Sequence, residues 1–308
     1  MNTTRRTGLA VLAALAVALV APGAPVAQEE ASEGWDLSAD LGLALTQSGY
    51  SDSWQGGEAG SISWNATGNL TAGRVLNPSI TWANDLKLAY GQSHLQDAET
   101  KDWAPPEKST DRIFLESLLK YTLGWSVDPY TALTVESQFY DASVPEKTRF
   151  LTPTTLTESV GIGRSLVATE QRVLYSRFGV AFRQKLTNAA IAPATAGGDW
   201  DTEWDTVTDG GLEWVTDYKH TFAEERMNLV TKLRVFQALI NSESDDLKGL
   251  ENEDYWQAPD VAWEATLSAA VSKYIQVTLF AELLYDKEID LRGRFRETLG
   301  LGLSYKLF

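Results

Sequence analysis

A period-two alternation of apolar and polar residues constrains this chain more than any other feature. Most of its stretches run 11 to 14 residues. In Trp35, Leu37, Ala39, Leu41, Leu43 and Leu45 every second residue is apolar, with Asp36, Ser38, Asp40, Gly42 and Ala44 between them. The pattern recurs in Ile80–Tyr90, Ile113–Leu123, Leu174–Phe182, Met227–Val235, Val261–Val271, Ile275–Tyr285 and Phe295–Leu307. Alternation at 180° per residue marks strands with two unlike faces. Strands of soluble folds average about 5–6 residues, whereas a tilted strand crossing a bilayer needs about 9–11. In lipid no water satisfies backbone N–H and C=O groups, so such strands must close on themselves. The expectation is a single all-β, transmembrane, antiparallel up-and-down barrel of about twelve strands over residues 35–308. A soluble barrel or sandwich with the leucines inside shares this periodicity, and strand length and aromatic placement argue against it.

Aromatic residues fall at the ends of the predicted strands. Trp35, Trp82, Trp125, Tyr130, Tyr218, Tyr274 and Tyr305 would lie on one rim, and Tyr90, Phe139, Trp256 and Tyr285 near the other. Two such girdles fit rings half buried at headgroup level. The connections 73–79, 125–129, 167–171, 220–225 and 272–274 are short and include Asn77-Pro78 and Asp128-Pro129. Those at 47–58, 92–110, 141–153, 187–209 and 241–257 are longer and more polar. The sixth, 287–294, has eight residues. Short turns on one side and longer loops on the other are the asymmetry of outer-membrane barrels, and they place both termini on the periplasmic side.

Residues 1–27 read as a cleaved secretory signal. Arg5 and Arg6 precede the apolar run Gly8–Ala21, and small residues and prolines follow to Ala27. Residues 28–34 form a short N-terminal segment. An exported barrel is expected in the outer membrane, among its lipids and lipopolysaccharide, after handling by the barrel-assembly machinery. The closing Gly302-Leu-Ser-Tyr305-Lys-Leu307-Phe308, apolar at every second place and aromatic at the end, resembles the signal such machinery reads. Composition excludes other classes. With 42 acids, 26 bases and a formal charge of −16, the chain lacks the basic footprint of a nucleic-acid binder. It has no cysteine, hence no disulfide, thiolate metal site or thiol nucleophile. No cofactor is called for.

The segment Leu45-Thr-Gln47-Ser-Gly-Tyr50-Ser-Asp-Ser-Trp54-Gln-Gly56-Gly57-Glu58 resembles the opening of an uncharacterised outer-membrane family known as domain of unknown function 3078. Further echoes are Tyr90-Gly91, Asp111-Arg112 and Phe150-Leu151-Thr152-Pro153. The resemblance implies a barrel and no particular chemistry.

The face opposite the apolar one, taken as the lumen, carries Asp36, Asp40, Asp85, Glu116, Glu136, Glu213, Asp217, Glu264 and Glu282 against Lys87, Lys120, Arg177, Arg183, Lys185, Lys232, Arg234, Arg296 and Lys306. These cancel, so the negative charge of the mature chain belongs to loops and rims. Charges inside a barrel are paired or wet. Two readings stay open. One is a paired polar core that braces the wall. The other is a narrow aqueous path for a small solute, lined by a basic strip on the seventh, ninth and twelfth strands.

Asp199, Asp201, Glu203 and Asp205 place carboxylates at every second position, a hard-oxygen set that suits calcium or else a solvated acidic strand extension. Of the two histidines, His94 stands beside Ser93 near the outer end of the third strand, where an outer-leaflet hydrolase would need it. No GxSxG or HExxH element accompanies it, so a non-enzyme is expected.

Overall fold

The structure is a computed structural model that describes residues 34–51, 58–193, 195 and 198–306. The signal segment, Trp54-Gln-Gly56-Gly57 of the family motif, and Leu307-Phe308 lie outside the described residues.

The alternating stretches form β1 (Asp36–Ser48), β2 (Ser61–Asn77), β3 (Ile80–Leu95), β4 (Glu107–Tyr121) and β5 (Asp128–Ser137). A short hairpin of β6 (Tyr140–Asp141) and β7 (Arg149–Phe150) follows. Then come β8 (Thr154–Ala168), β9 (Arg172–Ile191), β10 (Asp201–Phe222), β11 (Met227–Asn241), β12 (Asp260–Ala270), β13 (Ile275–Tyr285) and β14 (Arg294–Lys306). All but β6 and β7 join one closed antiparallel barrel of twelve strands in the order β1-β14-β13-β12-β11-β10-β9-β8-β5-β4-β3-β2. Short connections, such as 78–79, 169–171 and 223–226, occupy one end with the start of β1 and the end of β14. The longer ones, including 138–153, 242–259 and 286–293, occupy the other.

The barrel is inverted relative to a soluble protein. Phe178, Val180 and Phe182 on β9, Leu43 and Leu45 on β1, and Leu299 and Leu301 on β14 are exposed on the outside, Leu299 by 73%. Glu116, Arg177, Glu213, Lys232 and Glu282 are buried. Charged side chains are almost never buried in soluble folds unless paired, and large exposed apolar bands mark contact with something apolar. Because the side-chain period is two, register fixes both faces at once. The ladder Val180↔Leu212 and Gly179↔Glu213 holds the apolar pair outside and the acid inside. The outer surface is therefore the lipid-facing wall of a membrane-spanning barrel.

The aromatic rims are present with two exceptions. At the short-turn end Trp35 lies 5.1 Å from Trp82, and Tyr274 stacks on Tyr305 at 6.5 Å. At the other end Tyr90 meets Trp64 and Phe139 at 5.6 and 6.0 Å. Tyr130 does not join a rim. It has the parity of Thr134 and Glu136, faces inward, and is 1% exposed. Trp256, on a 3-10 turn (Tyr255–Gln257), packs against Ala181, Phe236 and Ala238 at the mouth of the barrel. The loop expected over 187–209 is also mostly strand. β9 runs on to Ile191, pairing with Asp201 of β10, and only 192–200 connects them.

The closing seam is short. β1 pairs with β2 along its whole length but with β14 only over Asp40–Ala44 against Gly302–Lys306. Above that, Arg294–Leu301 pair with β13 alone among the described residues.

If the outer wall faces acyl chains, Val180→Arg should cost about 2–4 kcal/mol, the figure for a cation near the bilayer midplane. Thr67→Arg, on the inward face of β2, should be nearly neutral. Urea titration of the barrel in bilayers, followed by the faster gel migration of unboiled samples, measures both. Equal effects would contradict the assignment of faces.

Candidate functional site

The interior is crossed by ion pairs. Glu264 on β12 accepts from Lys87 of β3 at 2.5 Å and lies 2.6 Å from Arg112 of β4. In the twelve-strand ring β4 and β12 stand opposite each other, so these side chains bridge the full width of the lumen. Glu282 continues the chain, 3.7 Å from Arg112 and 2.6 Å from Arg296. A second group is built on Glu116 of β4, which takes Lys232 of β11 at 2.7 Å and Arg177 of β9. Asp217 lies 3.2 Å from the same lysine. Arg234 pairs with Glu136 across the interior and lies 3.7 Å from Glu213.

Phe114 joins the two groups. It projects inward from β4 between Arg112 and Glu116 and is 1% exposed. Lys87, Arg112, Lys232 and Arg234 each lie 5.3–5.5 Å from its ring centroid. A ring face attracts cations, and the acids behind them offset their mutual repulsion. On the β8–β9 side Tyr130 and Tyr175 fill the interior where glycine gives them room. A Cβ at Gly163 would fall 2.2 Å from the Tyr175 hydroxyl, and one at Gly179 would fall 2.8 Å from that of Tyr130.

Of the sequence-predicted lumen set, Arg177, Lys232, Arg234, Arg296, Glu116, Glu136, Glu264 and Glu282 are brought together in this network. Arg183 lies nearer the mouth, held by Asp209 at 2.8 Å and Asp260 at 2.5 Å over the Phe236 ring at 4.2 Å. Lys185 stands one inward place above it, with no acid within 4 Å among the described residues. Five cations of the expected basic strip stand beside acids, Arg177, Lys232, Arg234 and Arg296 within the network and Arg183 at the mouth, whereas Lys185 does not. The residues missed are Arg112, Phe114, Asp209 and Asp260. The parity of β4 carried the signal for the first two, since both share the period of Glu116.

The other half of the lumen differs. Along β2 the inward-facing Thr67, Asn69 and Thr71 are exposed, although they point into the barrel. Their face is fixed by Ser63, which donates to Ser93 on the inward side of β3 at 2.9 Å. Small polar side chains here leave open the space that arginines and aromatics fill opposite.

The mouth is partly covered. Besides Trp256, the 242–259 connection is tied to 286–293 by Lys287, 3.2 Å from Asp254 and 4.4 Å from the Tyr255 ring centroid. The family-like echoes meet in one clamp at this end. Asp111 accepts from the Phe139 and Tyr140 amides at 2.6 and 3.2 Å, and Gln138 donates to the Thr152 carbonyl at 2.5 Å. The Thr152 hydroxyl accepts from the Asn188 amide at 2.8 Å. These residues serve as architecture.

Asp199 sits in the 192–200 connection, and Asp201, Glu203 and Asp205 are exposed on the outer extension of β10. Among the described residues no group of three or more acids or histidines is gathered to hold a metal ion. His94 and Ser93 occupy opposite faces of β3, so the pair expected for a hydrolase does not form.

Residues 45–142 match the family described as a protein of unknown function (DUF3078). No curated protein matches the chain. Among solved structures it is similar to an outer membrane channel from Pseudomonas putida F1, at 12% identity and a TM-score of 0.39, covering 92% of this chain and 99% of that one. It is also similar to the beta domain of the Bordetella autotransporter BrkA, at 11% identity and a TM-score of 0.32, covering 88% and 97%. The translocator domain of the autotransporter NalP from Neisseria meningitidis matches at 13% identity and a TM-score of 0.31, covering 96% and 93%.

Glu288, on the 286–293 connection, is exposed as a residue, yet partial desolvation of its carboxyl and then the charges of Asp286 and Asp209 push it up to about 7. The folded protein holds this proton more tightly than an unfolded carboxyl would. Its support for the connection is therefore complete below the ordinary value of 4.5 and fades as pH rises through 7. Amide exchange over 286–293, corrected for intrinsic rates, should be faster at pH 8 than at pH 5. Glu288→Gln should remove the difference, and a pH dependence that survives the substitution would refute the assignment.

Proposed function

We propose that the protein is an outer-membrane barrel with an off-axis aqueous path for small polar solutes. The observation that carries this reading is the exposure of Thr67, Asn69 and Thr71 inside the barrel. That exposure supports water-sized space along the β2 wall, while paired charges cross the β4–β12 half. The path runs beside the network, and Asp85 and Lys87 line its flank with side chains 29% and 21% exposed. The lining favours small hydrated solutes over large or strongly charged ones, because hydroxyls and an amide replace solvating water without imposing a net field. The long-loop end faces outward, toward lipopolysaccharide, and the termini face the periplasm, as is usual for barrels delivered by the assembly machinery.

A second reading, a scaffold barrel without a conduit, is favoured by the network spanning the lumen. Single-channel recording in planar bilayers distinguishes them. The path reading predicts small, steady current steps that Asn69→Trp reduces by about half or more, as expected where a bulky ring fills a narrow lumen. Refolded protein of normal gel mobility that gives no current steps at any voltage would refute the path and leave the scaffold.

A further inference from the structure

The barrel wall is least complete at the β1–β14 seam. The two strands are laddered only at the short-turn end, over Asp40–Ala44 and Gly302–Lys306. Continuing that register would set Thr46 opposite Gly300 and Ser48 opposite Thr298, yet neither pair forms. Packing does not forbid the contact, since a Cβ built at Gly300 meets only Ala44 Cβ, at 3.7 Å. Among the described residues, the upper part of β14 therefore keeps one edge of backbone N–H and C=O groups unpaired beside the lipid-facing Leu299 and Leu301. Each such group left unsatisfied in hydrocarbon costs several kcal/mol, so an irregular edge at this depth must border water.

Water is at hand on the inner side. Thr46 and Thr298 face the lumen and are exposed, next to the open β2 wall. The gap thus has two unlike borders. Outside stand Leu45, Leu299 and Leu301, exposed by 63, 73 and 63%. Inside, Arg294 and Arg296 follow each other on the lumen face of β14. Arg294 is exposed and has no acid within 4 Å among the described residues, and the side chain of Arg296 is 41% exposed beside Glu282. Glu297, turned outward between Phe295 and Leu299, is an exposed carboxylate at the outer lip that adds to the hydration of the gap.

We propose that this seam is a lateral binding slot for a single-chain amphiphile with an anionic head. The head would lie in the wet lumen against Arg294 and Arg296, and the tail would pass between Leu45 and Leu299–Leu301 into the surrounding acyl chains. A cation pair at the inner border and aliphatic side chains at the outer one match the two ends of such a molecule and neither end of a hydrophilic solute. The slot rests on the barrel lying in a bilayer, as argued above, and it does not require that the axial path conduct.

Full-length protein in proteoliposomes tests this. The chain has no cysteine, so Thr46→Cys with Gly300→Cys probes the open register, and Leu43→Cys with Leu303→Cys probes the laddered one. The second pair should oxidise readily, and the first about tenfold more slowly. A spin-labelled long-chain carboxylate should show an immobilised component, and the spin-labelled alcohol of the same length should need about tenfold more to match it. Arg294→Gln with Arg296→Gln should abolish that preference without any cysteine change. Bridging positions 46 and 300 with a bifunctional maleimide should remove the immobilised component while ion current persists. Equal oxidation of the two cysteine pairs, or equal immobilisation of carboxylate and alcohol, would overturn the proposal. Absent current with immobilisation intact would instead count against the axial path alone.

Discussion

The architecture depends on ion pairs that meet across the lumen around Phe114. Arg112 and Glu264 come from opposite walls, and Lys232 and Arg177 converge on Glu116 from β11 and β9. In a soluble protein such a cluster would be an expensive core. Here the alternative is worse, because the outer faces must be largely apolar and the period of two sends most polar residues inward. A barrel of twelve strands is too wide for ordinary side chains to fill. Long arginines and glutamates paired with each other span it and, among the described residues, leave no lone buried charge. The aromatic ring at their centre supplies apolar contact and a face that four cations share.

That bracing is lopsided, and the lopsidedness gives the rest of the molecule its character. The strands from β4 through β12 carry arginine, lysine, glutamate and tyrosine on the inside. The inside of β1 and β2 carries mainly serine, threonine, asparagine and glycine. The first half packs shut and the second stays wet. The seam where β14 meets β1 lies in the wet half, where few interior side chains stitch the two strands together. A short ladder there follows from the same poverty of interior contacts that leaves room for solute. Stability and access are assigned to different arcs of one wall.

Much of the fold was legible because one physical rule dominates it. Alternation over stretches longer than soluble strands, together with aromatic ends and uneven loops, predicts the twelve strands and their faces. The failures are instructive. Tyr130 looked like a rim residue by its position near a turn, but its parity with Glu136 puts it inside. Arg112 and Phe114 share the parity of Glu116, and a strict reading of β4 would have included them. Trp256, expected at the outer rim, packs over the mouth instead, because a loop that folds back leaves no period to read. The pairing itself was out of reach. Lys232 and Glu116 are 116 residues apart, and their meeting depends on barrel shear and strand order, which alternation does not encode. The open wall was missed for a related reason. A list of charges draws attention to where they lie, whereas access depends on where they are lacking.

The claim that opposite walls are tied through the lumen is tested most directly by a double-mutant cycle on Arg112 and Glu264. Arg112→Ala, Glu264→Ala and the double variant would be compared with the parent by unfolding in bilayers. Direct contact across the barrel predicts a coupling energy of about 0.5–3 kcal/mol, the range for residues that touch. Additive effects would mean that the two side chains do not meet, and the braced interior described here would be wrong.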